Sequence, residues 1–491
     1  MNELLNVKWN LLLPTVLYLV AVYVIGAYCY KYVRRAKKFL EEYFVASRQI
    51  GGFVLAMTLV ATYLSAGSFL AGPGTAYALG YGWVLLAMTQ LPAMWLTLGL
   101  LGKRFAIVAR RVNAITIIDV LEERYRSPIV VLLGAISIVV FLTAAATAQF
   151  MGGAKLFQAI TGLPYEYGVL LFAVTVFVYT TIGGFRAVAF TDTLQGIVMF
   201  IGTAILFSLA VLEAGGVENI SKHLYSLNPG LVTPFGPNGV LTPLWVSTFW
   251  VLVGIGVVGL PYVSVRALSY ENSRALHRGM VIGTAVIGWL ILGMHLLGVF
   301  SAYYLPPGLK DRELAIPLLA IELAPPILAG VVLAGPLAAI MSTVDSQLLL
   351  MSSTVIRDVY QRYVNPHVGV RKIKALSISC TIALGLLILI LSYLKLGLVL
   401  WINLFALGGL ESCFLIPLVL GLYWKRGNKY GAIGSMLTGI STFIVLYSIY
   451  GSRFYDMYPI VPSLAIAVIV YVLTSYLTPK PSNEVIEKFW G

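Results

Sequence analysis

Long apolar stretches separated by short polar loops run through the whole chain. Each stretch holds roughly 20 or more residues, the length of an α-helix that crosses the hydrocarbon core of a bilayer. The pattern predicts an all-α polytopic membrane protein with about thirteen transmembrane helices, whose boundaries are set only to within a few residues. The predicted spans are 11–30, 51–77, 83–102, 127–154, 165–185, 189–213, 243–265, 279–304, 328–355, 375–394, 397–423, 430–450 and 458–478.

The second predicted span is apolar enough to cross a membrane, but its middle is a poor helix. Hydroxyl residues and a glycine between 62 and 68 lie at mid-membrane depth, and Gly72-Pro73-Gly74 follows. Broken backbone at that depth survives only where it lines a cavity or is buried in protein. In transporters such breaks bind ligands, because unwound carbonyls hold cations and half-helix N-termini face anions. The alternative is a kinked but continuous helix.

The seventh predicted span, five spans later, is interrupted as well, by Gly254, Gly256, Gly259 and Pro261. Two broken spans in corresponding positions are typical of an inverted repeat of five plus five helices. We therefore predict a single transmembrane transporter domain over residues 1–491. Its parts are an N-terminal extra helix and loop (11–50), a first repeat (51–213), a second repeat (243–423) and C-terminal helices (430–478).

Composition and charge agree with a membrane protein. Only 11% of the 491 residues are charged, whereas soluble proteins carry about a quarter. The net charge of +13 does not indicate nucleic-acid binding, because the charges lie between apolar spans. Most Lys and Arg residues, Arg266 among them, fall in alternate loops, which predicts a multi-pass cell-membrane protein with its N-terminus outside and its C-terminus cytoplasmic. The oligomeric state stays open.

Span nine carries polar groups that suit a cation. Helical spacing brings the carbonyl of Ala339 and the hydroxyls of Ser342 and Thr343 to one side of the span. Two carbonyls from the break in span two would complete a neutral five-oxygen site, which suits a weakly bound monovalent ion. The alternative is that these hydroxyls bond their own helix or serve as small packing residues.

Buried ionisable and amide groups are further candidates, since they are costly inside a membrane. Asp192 opens predicted span six, either as an N-terminal cap with Gln195 in a capping box or as a carboxylate that attracts or releases a cation. Glu411, in the middle of span eleven, is either protonated or in contact with substrate. Gln90 and Gln149 either bind a ligand or bond neighbouring helices.

Enzymatic motifs are missing from the sequence. It contains no P-loop, HExxH, GxSxG or CxxC pattern, so we do not expect an enzyme. The three cysteines lie in apolar segments without paired spacing and predict neither disulfides nor a zinc site. His295, alone in the middle of span eight, is interpreted as a packing residue rather than a proton relay.

Four groups of residues form a further pattern: residues 61–74, Ile182-Gly183-Gly184-Phe185-Arg186-Ala187 with Thr191-Asp192, Ser342-Thr343, and Gly421-Leu422 with Arg426 and Gly431-Ala432. Through these residues the chain resembles the sodium/solute symporter family, and the resemblance extends over all thirteen spans. Segments such as 82–88, 249–253, 277–279, 293–296 and 401–404 are most similar to those of family members that carry pantothenate.

The resemblance implies a leucine-transporter-type fold and a co-transported sodium ion. In some relatives a second ion site or exit point uses the aspartate that matches Asp192. The implied sodium ligands are the carbonyls of Ala61, Leu64 and Ala339 and the hydroxyls of Ser342 and Thr343.

The implied substrate site lies beside the two breaks. The implied function is sodium-coupled import of a small organic anion, with pantothenate as the first candidate substrate. Alternatives are proline, a monocarboxylate or another small solute, and a proton in place of sodium. From other classes, a ligand sensor and a passive channel stay open. The position of Tyr262 is often His in close relatives. The candidate substrate-binding residues are Tyr63, Ser65, Ser68, Gln90, Gln149, Trp250, Tyr262 and Glu411.

Overall fold

The computed structural model describes residues 9–35, 42, 45–180 and 184–491, and helices make up most of this part of the chain. Shorter helices cover Ile117–Tyr125, Val217–Leu227, Ala315–Leu323 and Asn483–Trp490. The long helices are α1 (Trp9–Arg35), α2 (Tyr81–Arg111), α3 (Pro128–Thr161), α4 (Tyr165–Thr180), α5 (Gly184–Glu213), α6 (Ser273–Tyr304), α7 (Pro326–Val364), α8 (Val370–Tyr393), α9 (Val399–Tyr423), α10 (Lys429–Tyr450) and α11 (Ile460–Leu477).

Two further spans are broken helices, as predicted from the polar stretch near 62–67 and from the glycines and proline at 254–261. The first bends by 70° and the second by 53°. In the first, Leu64 is extended with ψ 135°, and in the second Leu260 is extended with ψ 111° before Pro261. A kinked but continuous second span is therefore excluded. The first broken span consists of Gly52–Tyr63 and Gly67–Leu79, and the second of Pro243–Gly259 and Pro261–Leu268.

The predicted count of thirteen spans is not confirmed. Within the described residues, ten helices are long and apolar enough to cross a membrane, or twelve if each broken pair is one span. The predicted span 165–185 corresponds to α4, of which 16 residues belong to the described part of the chain. Residues 181–183, which include the family-like Ile182-Gly183, lie outside the described part.

Burial separates central helices from peripheral ones. In both α7 and α9, 83% of the most apolar stretch is buried inside the protein, against 28% in α1, α8 and α10. The helix α7 packs against α1, α3 and α5, while α9 packs against α3, α10 and the second broken span. Polar residues on α7 and α9 therefore face other helices rather than lipid.

A short backbone bridge joins one end of the two broken spans. Ile50, just before the first broken span, donates its N–H to Ser269 O (3.1 Å) and accepts from Glu271 N (3.1 Å), just after the second. The predicted orientation places this end of the molecule at the cytoplasmic face. The two broken spans are thus tied together there.

Candidate functional site

The break in the first broken span is held open by hydrogen bonds from side chains. Ala66 N donates to Gln149 Oε1 (2.8 Å) on α3, and Gly67 N donates to Ser65 Oγ (3.1 Å). Gln149 also donates from Nε2 to Asn403 Oδ1 (3.2 Å) on α9. These bonds satisfy the N–H groups that the helix loses at the break, so the carbonyls before it stay available.

Those carbonyls meet two hydroxyls on α7. Ser342 Oγ donates to Ala61 O (2.7 Å) and lies 3.1 Å from Ala339 O. Thr343 Oγ1 donates to Leu64 O (2.7 Å) and lies 2.9 Å from Ala339 O. All five residues are fully or almost fully buried. The five oxygens predicted as sodium ligands are therefore neighbours, and no charged group belongs to the set, which fits a monovalent cation.

A cavity opens beside the break, on the side away from the bridge at Ile50. The empty space in the cavity, together with the solvent at its open mouth, is about 510 Å³. Four predicted substrate residues line it: Tyr63, Ser65, Ser68 and Gln90. The hydroxyl of Tyr63 bonds Gln90 Oε1 (3.0 Å) and Val253 O (2.9 Å), so one side chain connects the two broken spans across the cavity wall.

Sequence reasoning missed several lining residues. Trp83, Phe249, His295 and Asn403 also line the cavity. His295, which we interpreted as a packing residue, approaches the first broken span so closely that a side-chain carbon at Gly72 would lie 2.5 Å from its Nε2. The available signals were the polar Asn403 and His295 in otherwise apolar spans, but only the tertiary arrangement places them at one cavity.

Four predicted substrate residues do not line this cavity, so their role there stays a prediction. Gln149 lies behind the break, where it bonds Ala66 and Asn403. Trp250 has 48% of its surface exposed on the outside of the bundle. Tyr262 and Glu411 are buried in the protein interior.

Asp192 lies on the other side of the first broken span from the cavity. Its Oδ2 accepts from Thr58 Oγ1 (2.6 Å) and Thr62 Oγ1 (3.4 Å) and lies 3.5 Å from Arg266 Nη2. The predicted role as an N-terminal cap is wrong, because α5 begins eight residues earlier, at Gly184. Gln195 instead donates to Tyr18 OH (3.2 Å) on α1.

Arg266 corrects a second expectation. We counted it among solvated loop cations, but it lies in the second broken span with 2% of its surface exposed. Its Nη2 donates to Ser346 Oγ (2.5 Å) on α7, its Nε donates to Thr58 Oγ1 (3.4 Å), and it also donates to the carbonyl of Tyr262. The guanidinium thus joins both broken spans, α5 and α7.

Comparison with known proteins shows which family the chain is similar to. A model of the family described as "SSF: Sodium:solute symporter family" matches residues 43–439. The chain is 46% identical over 465 residues to a sodium/pantothenate symporter of Escherichia coli (strain K12), which covers 94% of this chain and 96% of that protein. It is 29% identical to a high-affinity proline transporter of Bacillus subtilis (strain 168), over 95% of this chain and 98% of that one.

A solved structure supports the fold. The chain aligns with a Na⁺-coupled sialic acid symporter at a TM-score of 0.76 and 19% identity, over 96% of this chain and 99% of that one. At this sequence identity the structural similarity supports a conclusion about the fold only. It confirms the predicted all-α, leucine-transporter-type fold.

Proposed function

The chain belongs to the sodium:solute symporter family, and from this membership we propose that it imports pantothenate together with sodium across the cell membrane. As a family member it is a sodium-coupled transporter and not an enzyme. The substrate follows from the degree of likeness, since identity to the relative named for pantothenate is 46% and to the one named for proline 29%.

The observation that carries the proposal is the meeting of five oxygens from Ala61, Leu64, Ala339, Ser342 and Thr343. We assign the sodium ion to this set. A bound ion would take the carbonyls of the first broken span as ligands, while the two hydroxyls turn their lone pairs toward it. Neutral oxygens bind sodium weakly enough for it to leave again, as transport requires.

We assign the substrate to the adjacent cavity. Pantothenate is an anion with hydroxyls and an amide, and the cavity offers the hydroxyls of Ser65 and Ser68. The indole N–H of Trp83, also in the lining, has no hydrogen-bond partner among the described residues. The half-helix that starts at Gly67 adds the positive end of its dipole, which favours a carboxylate.

Adjacent residues couple the two sites. Leu64 supplies a carbonyl to the ion set, and Tyr63 and Ser65 on either side of it line the cavity. An ion that fixes the conformation of Leu64 therefore fixes both neighbours, and the resulting coupling free energy acts equally on sodium and substrate affinity. Each sodium ion that enters contributes about 2.3 kcal/mol per 100 mV of membrane potential.

We propose that Asp192 lies on the path by which the ion leaves. Thr62 joins the two places, because its carbonyl lies 3.3 Å from Thr343 Oγ1 and its hydroxyl 3.4 Å from Asp192 Oδ2. With the N-terminus outside, the cavity faces the exterior and Asp192 lies toward the cytoplasm. Arg266 already neutralises this carboxylate, so an ion must displace or pass the guanidinium.

The test is uptake by purified protein in proteoliposomes. With the same pH on both sides, we expect labelled pantothenate to accumulate when sodium is higher outside and not when sodium is equal on both sides or replaced by potassium. Labelled proline and acetate, supplied under the same gradient, serve as competing substrates. Accumulation of proline or acetate but not pantothenate would refute the proposed substrate, and uptake that ignores the sodium gradient would refute the coupling.

A further inference from the structure

The contact between the second broken span and α9 encloses a carboxylate. Glu411 is fully buried, and neither of its oxygens has a hydrogen-bond partner among the described residues. It lies directly against the turn Gly256–Gly259, where a side-chain carbon at Gly256 would overlap its Oε2. One helical turn further along α9, a carbon at Gly259 would lie 2.9 Å from Leu415 Cβ. The contact is therefore tight and excludes water.

The titratable groups near Glu411 are phenols. Tyr63, Tyr262 and Tyr458 are within electrostatic range of its carboxylate. None of them is a counter-ion.

The charged residues on elements packed against α9 have other partners. Arg266, in the second half of the second broken span, lies 3.5 Å from Asp192 Oδ2, and the remaining ones lie near helix ends. Lys155 on α3 pairs with Asp311 and Glu313, both at 2.6 Å. Asp119, on the helix Ile117–Tyr125, pairs with Arg357 at 2.8 Å. On that same helix Arg124 donates to backbone carbonyls that include Gly421 O at 2.7 Å. Lys429 and Lys488 belong to exposed helix ends.

An ionised carboxylate without a counter-ion or hydrogen bond is strongly unfavourable in such surroundings. The neutral acid is the stable form, so Glu411 carries a proton in this arrangement. Buried carboxylic acids inside a membrane are typical of proton pathways in transporters. Tyr63, which lines the cavity, is within electrostatic range of this carboxyl group, so the acid lies near the substrate site.

We propose that Glu411 is a proton-binding site and that one proton accompanies sodium and substrate through each transport cycle. This inference rests on the proposed function. Alternating access in this fold moves the broken spans against the surrounding helices, which opens the contact between Gly256 and Glu411. The O–H bond of the acid then breaks, the proton passes to water on the far side, and the carboxylate remains until it is protonated again from the first side.

Proton movement can be measured on the unaltered protein. Proteoliposomes receive equal sodium on both sides, and potassium with valinomycin holds the membrane potential at zero, so only a pH gradient remains. One pH unit, acid outside, then supports about tenfold accumulation of labelled pantothenate if one proton moves per substrate. Protein-free liposomes correct for passive entry of the neutral acid.

The outcomes separate the two proposals. No accumulation under the pH gradient, with normal accumulation under a sodium gradient, overturns the proton site and leaves the proposed function intact. No accumulation of pantothenate under either gradient overturns the proposed function itself. Tenfold accumulation supports the proton site.

Two variants then assign the proton to the residue. Glu411→Gln has no proton to release, so we expect its ratio of uptake with and without the pH gradient to fall to one. Glu322→Gln, which alters an exposed carboxylate, keeps the wild-type ratio, and a wild-type ratio in Glu411→Gln would overturn the assignment. Infrared difference spectra of wild type minus Glu411→Gln need no transport: the carbonyl band of a protonated carboxyl supports the site, and its absence overturns it.

Discussion

In each of the two predicted repeats, the fifth helix carries a buried carboxylate that lies against the broken span of that repeat. In the first repeat Asp192 on α5 bonds Thr58 and Thr62 of the broken span and faces Arg266. In the second repeat Glu411 on α9 touches Gly256 and has no hydrogen bond to any described residue. The positions correspond, but the electrostatic surroundings do not.

The difference concerns where the compensating positive charge comes from. Asp192 has a resident cation in the guanidinium of Arg266, which the chain itself supplies. Glu411 has none among the described residues, so its neutrality depends on a proton from solution. The guanidinium of Arg266 joins four elements at the end of the molecule that the predicted orientation places at the cytoplasmic face. A proton on Glu411, by contrast, can be bound and released during each transport cycle. Variants that remove one charge at a time test this comparison.

The largest effect is expected from Arg266→Gln. Removing one partner of a buried ion pair leaves the other charge uncompensated, which costs about 3–5 kcal/mol of folding free energy. Thermal unfolding of the purified protein in detergent measures it, with Arg274→Gln, an exposed arginine at the start of α6, as control. The double variant Arg266→Gln with Asp192→Asn should recover much of the loss. If the single variant is as stable as wild type, Asp192 is not held by this pair.

A smaller effect, on sodium affinity rather than folding, is expected from Ser342→Ala. The change removes one of five oxygens from the ion set, so the sodium concentration for half-maximal uptake should rise about tenfold or more, equivalent to about 1.4 kcal/mol. The matched control is Ser353→Ala on the same helix, whose hydroxyl donates to Leu350 O of its own turn (2.8 Å) and to no other described residue. An unchanged sodium dependence in Ser342→Ala and Thr343→Ala would refute the assigned site.

The breaks and the ion set were predictable because both depend on local chemistry. Hydroxyl residues, glycines and a proline cluster at the two breaks, although Pro14, Pro336 and Pro417 lie inside continuous helices. Helical spacing alone groups Ala339, Ser342 and Thr343. The pairing of Asp192 with Arg266 was not predictable, since counting loop charges treats an arginine near a span end as solvated. The start of α5 was predicted too late in the sequence, because residues 184–191 are as compatible with a helix as with a loop.

Glu411 could be singled out from sequence as a mid-membrane carboxylate, but its partner could not be named. Whether a buried acid has a counter-ion depends on which side chains the fold brings within a few ångströms, and these come from distant segments. The same limit applies to His295 and Asn403, whose place at the cavity depends on α6 and α9 packing beside the first broken span.

The smallest effect on stability is expected from Glu411→Gln, and it decides the comparison. A glutamine has nearly the shape of the neutral acid, so replacing a protonated Glu411 should change the unfolding free energy by less than about 1 kcal/mol. Asp192→Asn, which strands the guanidinium of Arg266, should cost more in the same detergent assay. If instead Glu411→Gln destabilises the protein as much as Arg266→Gln does, Glu411 is ionised and balanced by a charge after all. The two carboxylates would then be equivalent, and the contrast between a resident and an exchangeable cation would not hold.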